Sequence, residues 1–243
     1  MFALKTLTHS VQLDIRPQPD DQTCGPTCLQ ALYDYYGYSV PLEHLVSDIE
    51  QLEGGGTVAV SLANHALRHG FSAVIYTYNL QVFDPTWFAA RPEELIDRLL
   101  RQRQAKTGRK LRRVSRDYIE YLRAGGEVRF ADLTPSLLDR LLAERTPILT
   151  GLSATYLYNC AREIDSDYDD ILGLPTGHFV VLCSYEPERR MIRVADPLHP
   201  NPLFPSQEYE IDVDRVISSI LLGTLTYDAN LLIIRPKECA SQP

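Results

Sequence analysis

The sequence lacks the features that mark membrane proteins and nucleic-acid-binding proteins. No apolar run approaches the ~20 residues that a membrane-spanning helix requires. The N-terminus has no charged region followed by an apolar one, so we predict no signal peptide. Positive charge is in deficit, because 24 Lys and Arg face 32 Asp and Glu, for a net charge of -8. We therefore expect a cytoplasmic protein with no membrane span and no nucleic-acid partner.

Cysteine is scarce and follows neither a zinc-ligand spacing nor a disulfide framework. The chain has five cysteines, an odd number, at positions 24, 28, 160, 183 and 239. Cys24 and Cys28 would lie one helical turn apart, where a disulfide would be strained. We expect free thiols in a reduced compartment, and we predict neither a metal nor a cofactor. Cys160, Cys183 and Cys239 are expected to be structural.

No segment of the sequence has the composition of a linker between domains, although residues 80–130 differ in composition from the rest. With 44% apolar residues, the chain is expected to form a single domain over residues 1–243. Residues 80–130 are predicted to be a helical insertion, with a charged helical stretch over 93–123 and a candidate break at Gly108. Ten of the 24 basic residues fall within 98–123. A solvated helical face is the favoured interpretation, and an electropositive arm that binds an acidic peptide or a partner protein is the alternative.

Apolar periodicity predicts a series of shorter elements along the chain. Helices are expected to start near Pro41 and to cover 58–69 and 135–145, the last with Thr134 as N-cap. Strands are expected at 7–16, 71–78 and 147–153. The mixture of both element types favours an α+β protein.

One segment near the N-terminus has the pattern of a reactive cysteine at the start of a helix. An apolar stripe at i, i+3, i+4 and i+7 predicts a helix that Gly37 ends, and its members are Leu29, Leu32, Tyr33 and Tyr36. Cys24 then lies at the first turn, with Pro26 where a missing N–H costs nothing. Unpaired N–H groups and the positive end of the helix dipole favour a thiolate at this position.

The same segment closely resembles the nucleophile segment of the double-glycine peptidases, bacteriocin-processing cysteine peptidases of the papain-like clan. The resemblance rests on Gln18, Cys24, Gly25, Pro26 and Leu29, followed by Tyr-Tyr-Gly. In that family the cysteine is the nucleophile and the glutamine lines the oxyanion hole. The resemblance implies these roles for Cys24 and Gln18.

The family also has a histidine at the start of a later strand and an Asp-Pro pair after the next strand. This chain has His178 after a glycine and Asp196 before a proline. The resemblance implies that His178 is the catalytic base and that Asp196 orients its imidazole. His199 and Cys28 are weaker candidates, because His199 lies on a turn between two prolines and Cys28 lies one turn inside the helix.

The pairing of the two later strands gives a separate expectation. Residues 178–185 and 191–196 are predicted to be strands joined by the five-residue loop 186–190. A loop with an odd number of residues pairs even-numbered positions with even-numbered ones, which turns His178 and Asp196 to the same face. An additional bulge would reverse this inference.

The resemblance implies an α+β, papain-like cysteine peptidase fold, in which an N-terminal helical part carries the cysteine helix and packs on a C-terminal antiparallel sheet. It implies a stand-alone cysteine peptidase that hydrolyses a peptide bond of a peptide or protein substrate through a thioester. Two alternatives stay open: an amidase or acyl transferase that uses the same thioester, and a non-catalytic peptide-binding module. Because no transporter is attached, a preference for double glycine does not follow.

Three weaker motifs are predicted to be structural rather than functional. His65 and His69 lie at i and i+4, a spacing that can hold a metal, but no third ligand is apparent and a core-edge role is favoured. Residues 165–170 resemble half of a calcium loop, without its glycine and closing glutamate, so an acidic solvated loop is favoured. Residues 54–56, three glycines, are predicted to be a loop rather than a phosphate cradle or a site of self-cleavage.

Overall fold

A seven-stranded sheet runs through the structure, a computed structural model that describes residues 11–52, 55–89 and 91–237. The helices are α1 Cys24–Tyr35, α2 Leu42–Asp48, α3 Ala59–Arg68, α4 Pro92–Ala105, α5 Arg109–Arg123, α6 Pro135–Ala143, α7 Ala154–Tyr158 and α8 Val213–Leu222. The strands are β1 Phe71–Thr77, β2 Glu127–Arg129, β3 Ile148–Ser153, β4 Glu163–Ile164, β5 Asp167–Tyr168, β6 Gly177–Glu186, β7 Met191–Ala195, β8 Glu208–Asp212 and β9 Asn230–Pro236. The α+β class is confirmed.

The strand order in the large sheet is β2-β1-β9-β3-β6-β7-β8. All its neighbours pair antiparallel except β1 and β2, which are parallel. The central strands β3, β6 and β9 are largely buried, which explains their continuous apolar runs. Strand β8 alternates exposed and buried residues as an edge strand with one solvated face does.

Helices cover both faces of the sheet. One apolar core joins the sheet to α1, α3 and α5, and a second core joins it to α6, α7 and α8. The sheet is therefore the middle of three layers. Helix α1, which begins at Cys24, packs against β6, as the predicted papain-like arrangement requires.

Local signals in the sequence account for several helix ends. Helix α1 ends at Tyr35, two residues before Gly37, whose positive φ of 72° fits a glycine. The hydroxyl of Thr134 accepts a hydrogen bond from the Leu137 N–H at 3.2 Å, so the predicted N-cap of α6 is confirmed. The predicted break at Gly108 is confirmed as well, because α4 ends at Ala105 and α5 starts at Arg109.

The favoured interpretation of 93–123 as a solvated stretch is wrong for α5. Seven residues of α5 are buried, among them Val114, Tyr118 and Tyr121. The Tyr121 hydroxyl donates to the Ala73 carbonyl of β1 at 2.7 Å. The basic residues of α5 lie on one side of the helix, and the apolar residues on the other side pack against the sheet. The high charge of the sequence therefore concealed a helix that belongs to the core.

The predicted strand at 7–16 is wrong where the structure describes it. Residues 7–10 lie outside the described residues, and 11–17 form no strand. The alternate residues Val11, Leu13 and Ile15 are nevertheless buried. The Val11 N–H donates to the Cys183 carbonyl at 3.3 Å, so this segment lies against β6 without joining a ladder.

The predicted five-residue loop between β6 and β7 is also wrong. Glu186 pairs with Met191, so the loop has the four residues 187–190. A loop with an even number of residues pairs odd positions with even ones. By itself, this loop would put His178 and Asp196 on opposite faces.

A bulge at Cys183 reverses the effect of the shorter loop. The register shifts between Leu182 and Ser184, so that Leu182 pairs with Val194. Continued from that pair, the register makes His178 and Asp196 diagonal neighbours on one face. The prediction that His178 and Asp196 share a face is therefore confirmed, but the cause is the bulge and not a five-residue loop.

Candidate active site

Cys24 is the first residue of α1 and is buried, with 6% of its surface exposed. The N-cap residue Thr23 makes no side-chain cap hydrogen bond. Because Cys24 and Gly25 are in the first turn, their N–H groups have no intrahelical acceptors. Pro26, the next residue, has no N–H. The start of α1 therefore combines a thiol with two available backbone donors.

A cleft of about 160 Å³ opens beside Cys24. Its walls include His178, Lys110 and Asp228, together with the loop glycines Gly55 and Gly56. The predicted loop at 54–56 is thus part of the cleft wall, although residue 54 lies outside the described residues. The cleft brings together a thiol, an imidazole, an amine and a carboxylate from four separate parts of the chain.

His178 lies near the start of β6, opposite Leu152 of β3, and is buried. Its Nε2 atom lies 2.9 Å from Oδ1 of Asp196. Cys24 lines the same cleft as the ring, and its proximity contributes to the raised pKa of His178. Because Nε2 faces the carboxylate, Nδ1 is the ring nitrogen available to the thiol. The structure therefore places His178 in the cleft beside Cys24 and hydrogen-bonds its far side to Asp196.

Asp196 is fully buried and is the centre of a hydrogen-bond network. Its Oδ1 atom accepts from His178 and from the Leu198 N–H, both at 2.9 Å. Its Oδ2 atom accepts from Tyr158 and Tyr209, both at 2.7 Å, and from Asn201 at 3.2 Å. Five donors thus offset the cost of burying one carboxylate.

The network sets the charge of both partners. Burial alone would lower the pKa of His178, but the charge and hydrogen bond of Asp196, with a smaller contribution from Cys24, raise it to about 10. Burial would raise the pKa of Asp196, but His178 and the other donors hold it below its ordinary value. The pair is therefore an imidazolium and a carboxylate at neutral pH.

Gln18 lies beside this network rather than in the wall of the cleft. Its backbone N–H donates to the Pro197 carbonyl at 2.9 Å, which ties the segment to the turn after Asp196. Its side-chain Nε2 donates to the Asp20 carbonyl at 2.9 Å. The Oε1 atom is buried without a hydrogen-bond partner. One amide N–H of Gln18 is therefore engaged locally, and the second is left for another acceptor.

The competing candidates are set apart from this site. His199 is exposed and lines a different pocket, with Asp14 and Gln207. Cys28 is buried and its thiol donates to the Phe179 carbonyl at 3.3 Å, and burial raises its pKa well above the ordinary value. Cys160 and Cys183 are free thiols outside the cleft lining, and residue 239 lies outside the described residues.

Two charged residues of the cleft were missed by the sequence analysis. Asp228 is 5% exposed, accepts a hydrogen bond from Thr226 at 2.8 Å on Oδ2, and has no partner for Oδ1. Burial raises its pKa to about 7, against the effects of Thr226 and Lys110. Lys110 donates to the Thr226 carbonyl at 3.1 Å and lies over the Tyr227 ring. No local motif marks Asp228, and Lys110 was hidden in a run of basic residues.

Two other motifs of the sequence have clear structures. Residues 165–170 begin with the turn of a tight hairpin in which β4 pairs with β5, and Asp165 and Ser166 in that turn have positive φ. Asp169 accepts the N–H groups of residues 171 and 172, both at 2.8 Å, so part of its capacity serves the turn. His65 and His69, in contrast, lie close to Asp48 in a cluster that could hold a metal.

Comparison with solved structures gives likenesses of low identity. A double glycine motif protease from an AMS/PCAT transporter, in complex with the leader peptide, is 15% identical, with 94% of each chain covered and a TM-score of 0.44. The peptidase domain of Streptococcus ComA, a bifunctional ABC transporter, is 13% identical over 93% of this chain and 99% of that one, with a TM-score of 0.43. Xylellain, a cysteine protease from Xylella fastidiosa, is 13% identical over 95% and 85%, with a TM-score of 0.49. With TM-scores below 0.5, these likenesses carry no argument about activity.

No curated protein matches the chain. Over the described residues, no helix combines the length and the apolar character needed to span a membrane. Residues 12–90, the segment that holds Gln18 and Cys24, match the family model of the Peptidase C39 family. This match confirms the predicted family resemblance and the enzyme class that goes with it, a papain-like cysteine peptidase.

Proposed function

We propose that this cysteine peptidase cleaves a peptide bond with Cys24 as nucleophile, His178 as acid and base, Asp196 as the orienting carboxylate and Gln18 as an oxyanion donor. The observation that carries the proposal is the position of His178, which lines the cleft beside Cys24 and makes a hydrogen bond with the buried Asp196. A thiol, an imidazole and a buried carboxylate in this order match the needs of acyl transfer through a thioester. The substrate is a peptide or protein segment that enters the cleft beside Cys24.

The reaction runs in two halves. The Cys24 thiolate attacks the carbonyl carbon of the substrate, the His178 imidazolium gives its proton to the leaving amine, and the C–N bond breaks to leave a thioester. Neutral His178 then takes a proton from water, whose oxygen attacks the thioester carbon. The C–S bond breaks to release the carboxylic acid product and to regenerate the Cys24 thiolate, while His178 keeps the proton from water as the imidazolium of the starting state.

Asp196 acts on His178 rather than on the substrate. Its Oδ1 atom fixes the Nε2 side of the ring, so Nδ1 stays directed to the thiol. Tyr158 and Tyr209 hold the carboxylate from the opposite side. Because five donors keep Asp196 ionised, its negative charge favours the imidazolium throughout the first half of the reaction.

The negative oxygen of the tetrahedral intermediate needs donors at the start of α1. The N–H groups of Cys24 and Gly25 have no intrahelical acceptors, and Gln18 retains one amide N–H beyond the bond to Asp20. Loss of one such donor typically lowers the rate ~100- to 1000-fold. Gln18→Ala is expected to have an effect in this range, with Gln104→Ala, an exposed glutamine on α4, as the control.

Chemical labelling tests the nucleophile. Brief treatment with iodoacetamide, followed by mass spectrometry, is expected to label Cys24 before Cys28 and Cys183, and inactivation should follow the labelling of Cys24 in time. A peptide library digested by the wild type and by Cys24→Ala side by side reports the cleavage site. Equal cleavage by the two proteins, or preferential labelling of Cys28, would refute the assignment.

The same thioester permits two other outcomes. If an amine intercepts it faster than water does, the protein is an amidase or acyl transferase, and added amine nucleophiles would yield aminolysis products. If no thioester forms while peptide still binds to the wild type and to Cys24→Ala, the protein is a non-catalytic peptide-binding module. Product analysis by mass spectrometry separates these three outcomes.

The basic stretch offers a separate surface for a partner. A groove of about 470 Å³ runs beside Trp87 and is lined by Arg98, Arg101 and Lys106. We propose that this groove on α4 is where an acidic partner segment binds. An acidic peptide should bind the wild type and lose affinity as salt rises. The double variant R98E/K106E should bind at least ~10-fold more weakly, whereas R189E/R190E, on the distant hairpin loop, should bind unchanged.

A further inference from the structure

A second cluster of titratable groups lies at the junction of α2 and α3. His65 lies in the last turn of α3, His69 is the C-cap residue of that helix, and Asp48 is the last residue of α2. One ligand atom from each of the three residues lies within 4.8 Å of the others. We propose that Asp48, His65 and His69 bind a divalent transition-metal ion such as Zn²⁺. Sequence analysis found the two histidines but not the third ligand, since Asp48 comes from another helix.

The hydrogen bonds around the two rings leave the same nitrogen free on each. The Tyr33 hydroxyl lies 2.8 Å from Nδ1 of His65, and the Tyr38 hydroxyl lies 2.7 Å from Nδ1 of His69. Metal-bound histidines usually have their second ring nitrogen held in this way. Two tyrosines thus supply outer partners, and each Nε2 is available to a metal.

His65 provides an independent sign of a missing ligand. The residue is fully buried, and its Nε2 atom has no hydrogen-bond partner. Buried polar atoms are rarely left unpaired, and a metal ion would satisfy this one.

Only a small movement is needed to close the site. The two imidazole rings are stacked, with centroids 4.1 Å apart and planes 14° apart. Nitrogen ligands lie about 2.0–2.1 Å from zinc, which in a tetrahedral site places ligand atoms about 3.3 Å from one another. His69 is only half-buried and Asp48 is exposed, so both side chains can rotate toward His65. Water would complete the coordination.

The experiment uses the full chain with Cys24→Ala, because a free thiol beside an imidazole also binds zinc. After treatment with a chelator, the protein is titrated with Zn²⁺ in a calorimeter. We expect one ion per chain. His69→Gln and Asp48→Asn should each weaken binding at least ~10-fold, and Tyr38→Phe should weaken it by ~10-fold or less. His44→Gln, an exposed histidine on α2, should bind as the parent does.

A second readout identifies the ligands without relying on affinity. Co²⁺ bound by two imidazoles and a carboxylate in a four-coordinate site should give an intense visible absorption, which His69→Gln should abolish and His44→Gln should retain. The melting temperature of the parent should rise with Zn²⁺, and that of Asp48→Asn should rise much less. Absence of stoichiometric binding by the parent, or equal binding by the parent, His69→Gln and Asp48→Asn, would overturn the proposal.

Discussion

His178 and His65 are both buried histidines that lie beside a tyrosine ring, yet His178 is charged at neutral pH and His65 is neutral. The His178 ring is 6.0 Å from that of Tyr158, and the His65 ring is 5.8 Å from that of Tyr33. The pKa of His178 is raised to about 10, whereas that of His65 is lowered to about 4. His178 makes a hydrogen bond with a buried carboxylate, whereas His65 makes one with a hydroxyl, and the carboxylate near it, Asp48, is exposed to solvent. Burial is common to both, so the nearest partner decides the charge.

Two buried carboxylates also differ in charge according to their hydrogen-bond partners. Asp196 accepts five hydrogen bonds, and its pKa lies below the ordinary value, whereas Asp228 accepts one side-chain bond and its pKa rises to about 7. A buried carboxylate without enough donors costs folding free energy when it ionises. Such a group in a cleft is typical of a functional site rather than of a structural one.

The largest expected effect comes from the charged histidine. His178→Gln removes the proposed proton donor and partner of the thiol, so kcat/KM for peptide hydrolysis should fall at least ~1000-fold. His199→Gln, which changes an exposed histidine outside the cleft, should stay within about threefold of the wild type. Near-normal hydrolysis by His178→Gln would contradict the proposed role of the charged histidine in the reaction.

Asp196→Asn should change both the rate and its pH dependence. Without the carboxylate, the pKa of His178 falls, so the alkaline limb of the kcat/KM profile should move down by more than one pH unit, and the rate at neutral pH should fall ~10- to 100-fold. Profiles of hydrolysis against pH measure both. An alkaline limb that does not move would mean that Asp196 does not set the charge of His178.

Asp196→Asn should also lower the stability of the fold by an amount that depends on pH. The raised pKa of His178 stabilises the fold fully below about 6.5, and this contribution disappears as pH rises from 6.5 through about 10. The lowered pKa of Asp196 stabilises the fold above about 3.9 and is lost as pH falls below that value. Urea unfolding should therefore show a larger difference between Asp196→Asn and wild type at pH 5.5 than at pH 10.

Asp228→Asn should stabilise the protein. Because the folded pKa is about 7 and the unfolded one is about 3.9, wild-type stability is lost as pH rises from 4 to 7. The variant should be more stable than wild type at pH 8, by at most about 4 kcal/mol, and close to it at pH 4. Asp21→Asn, an exposed acid of the same cleft, should show no such difference. Equal stability of Asp228→Asn and wild type at pH 8 would show that Asp228 ionises freely.

The smallest effect is expected at the neutral histidine. The unfolded state takes up a proton at His65 near pH 6.5, whereas the folded state resists until about 4, so stability is lost as pH falls between these values. His65→Gln keeps a hydrogen-bond partner for Tyr33 and should remove about 1–3 kcal/mol of that acid dependence. Metal-free protein, unfolded in urea at pH 7 and pH 4.5, provides the measurement.

The sequence could predict those parts of the site that depend on short-range signals. The start of α1 at Cys24, the N-cap at Thr134 and the break near Gly108 follow from local backbone preferences, and all three are observed. The burial of α5 was missed because its six basic residues interrupt the apolar positions in the sequence. The hairpin register was predicted through a wrong loop length that the bulge at Cys183 offset.

The chain by itself determined where the helix with the thiol begins and which residue types could join it, because helix caps, glycine stops and residue spacing act over a few positions. Only the tertiary structure decided that Tyr158 and Tyr209 converge on Asp196, that Lys110 and Asp228 enter the cleft, and that Asp48 meets two histidines. These groups come from elements far apart in the chain. Their charges depend on burial and on neighbours, which are properties of packing and not of the order of residues.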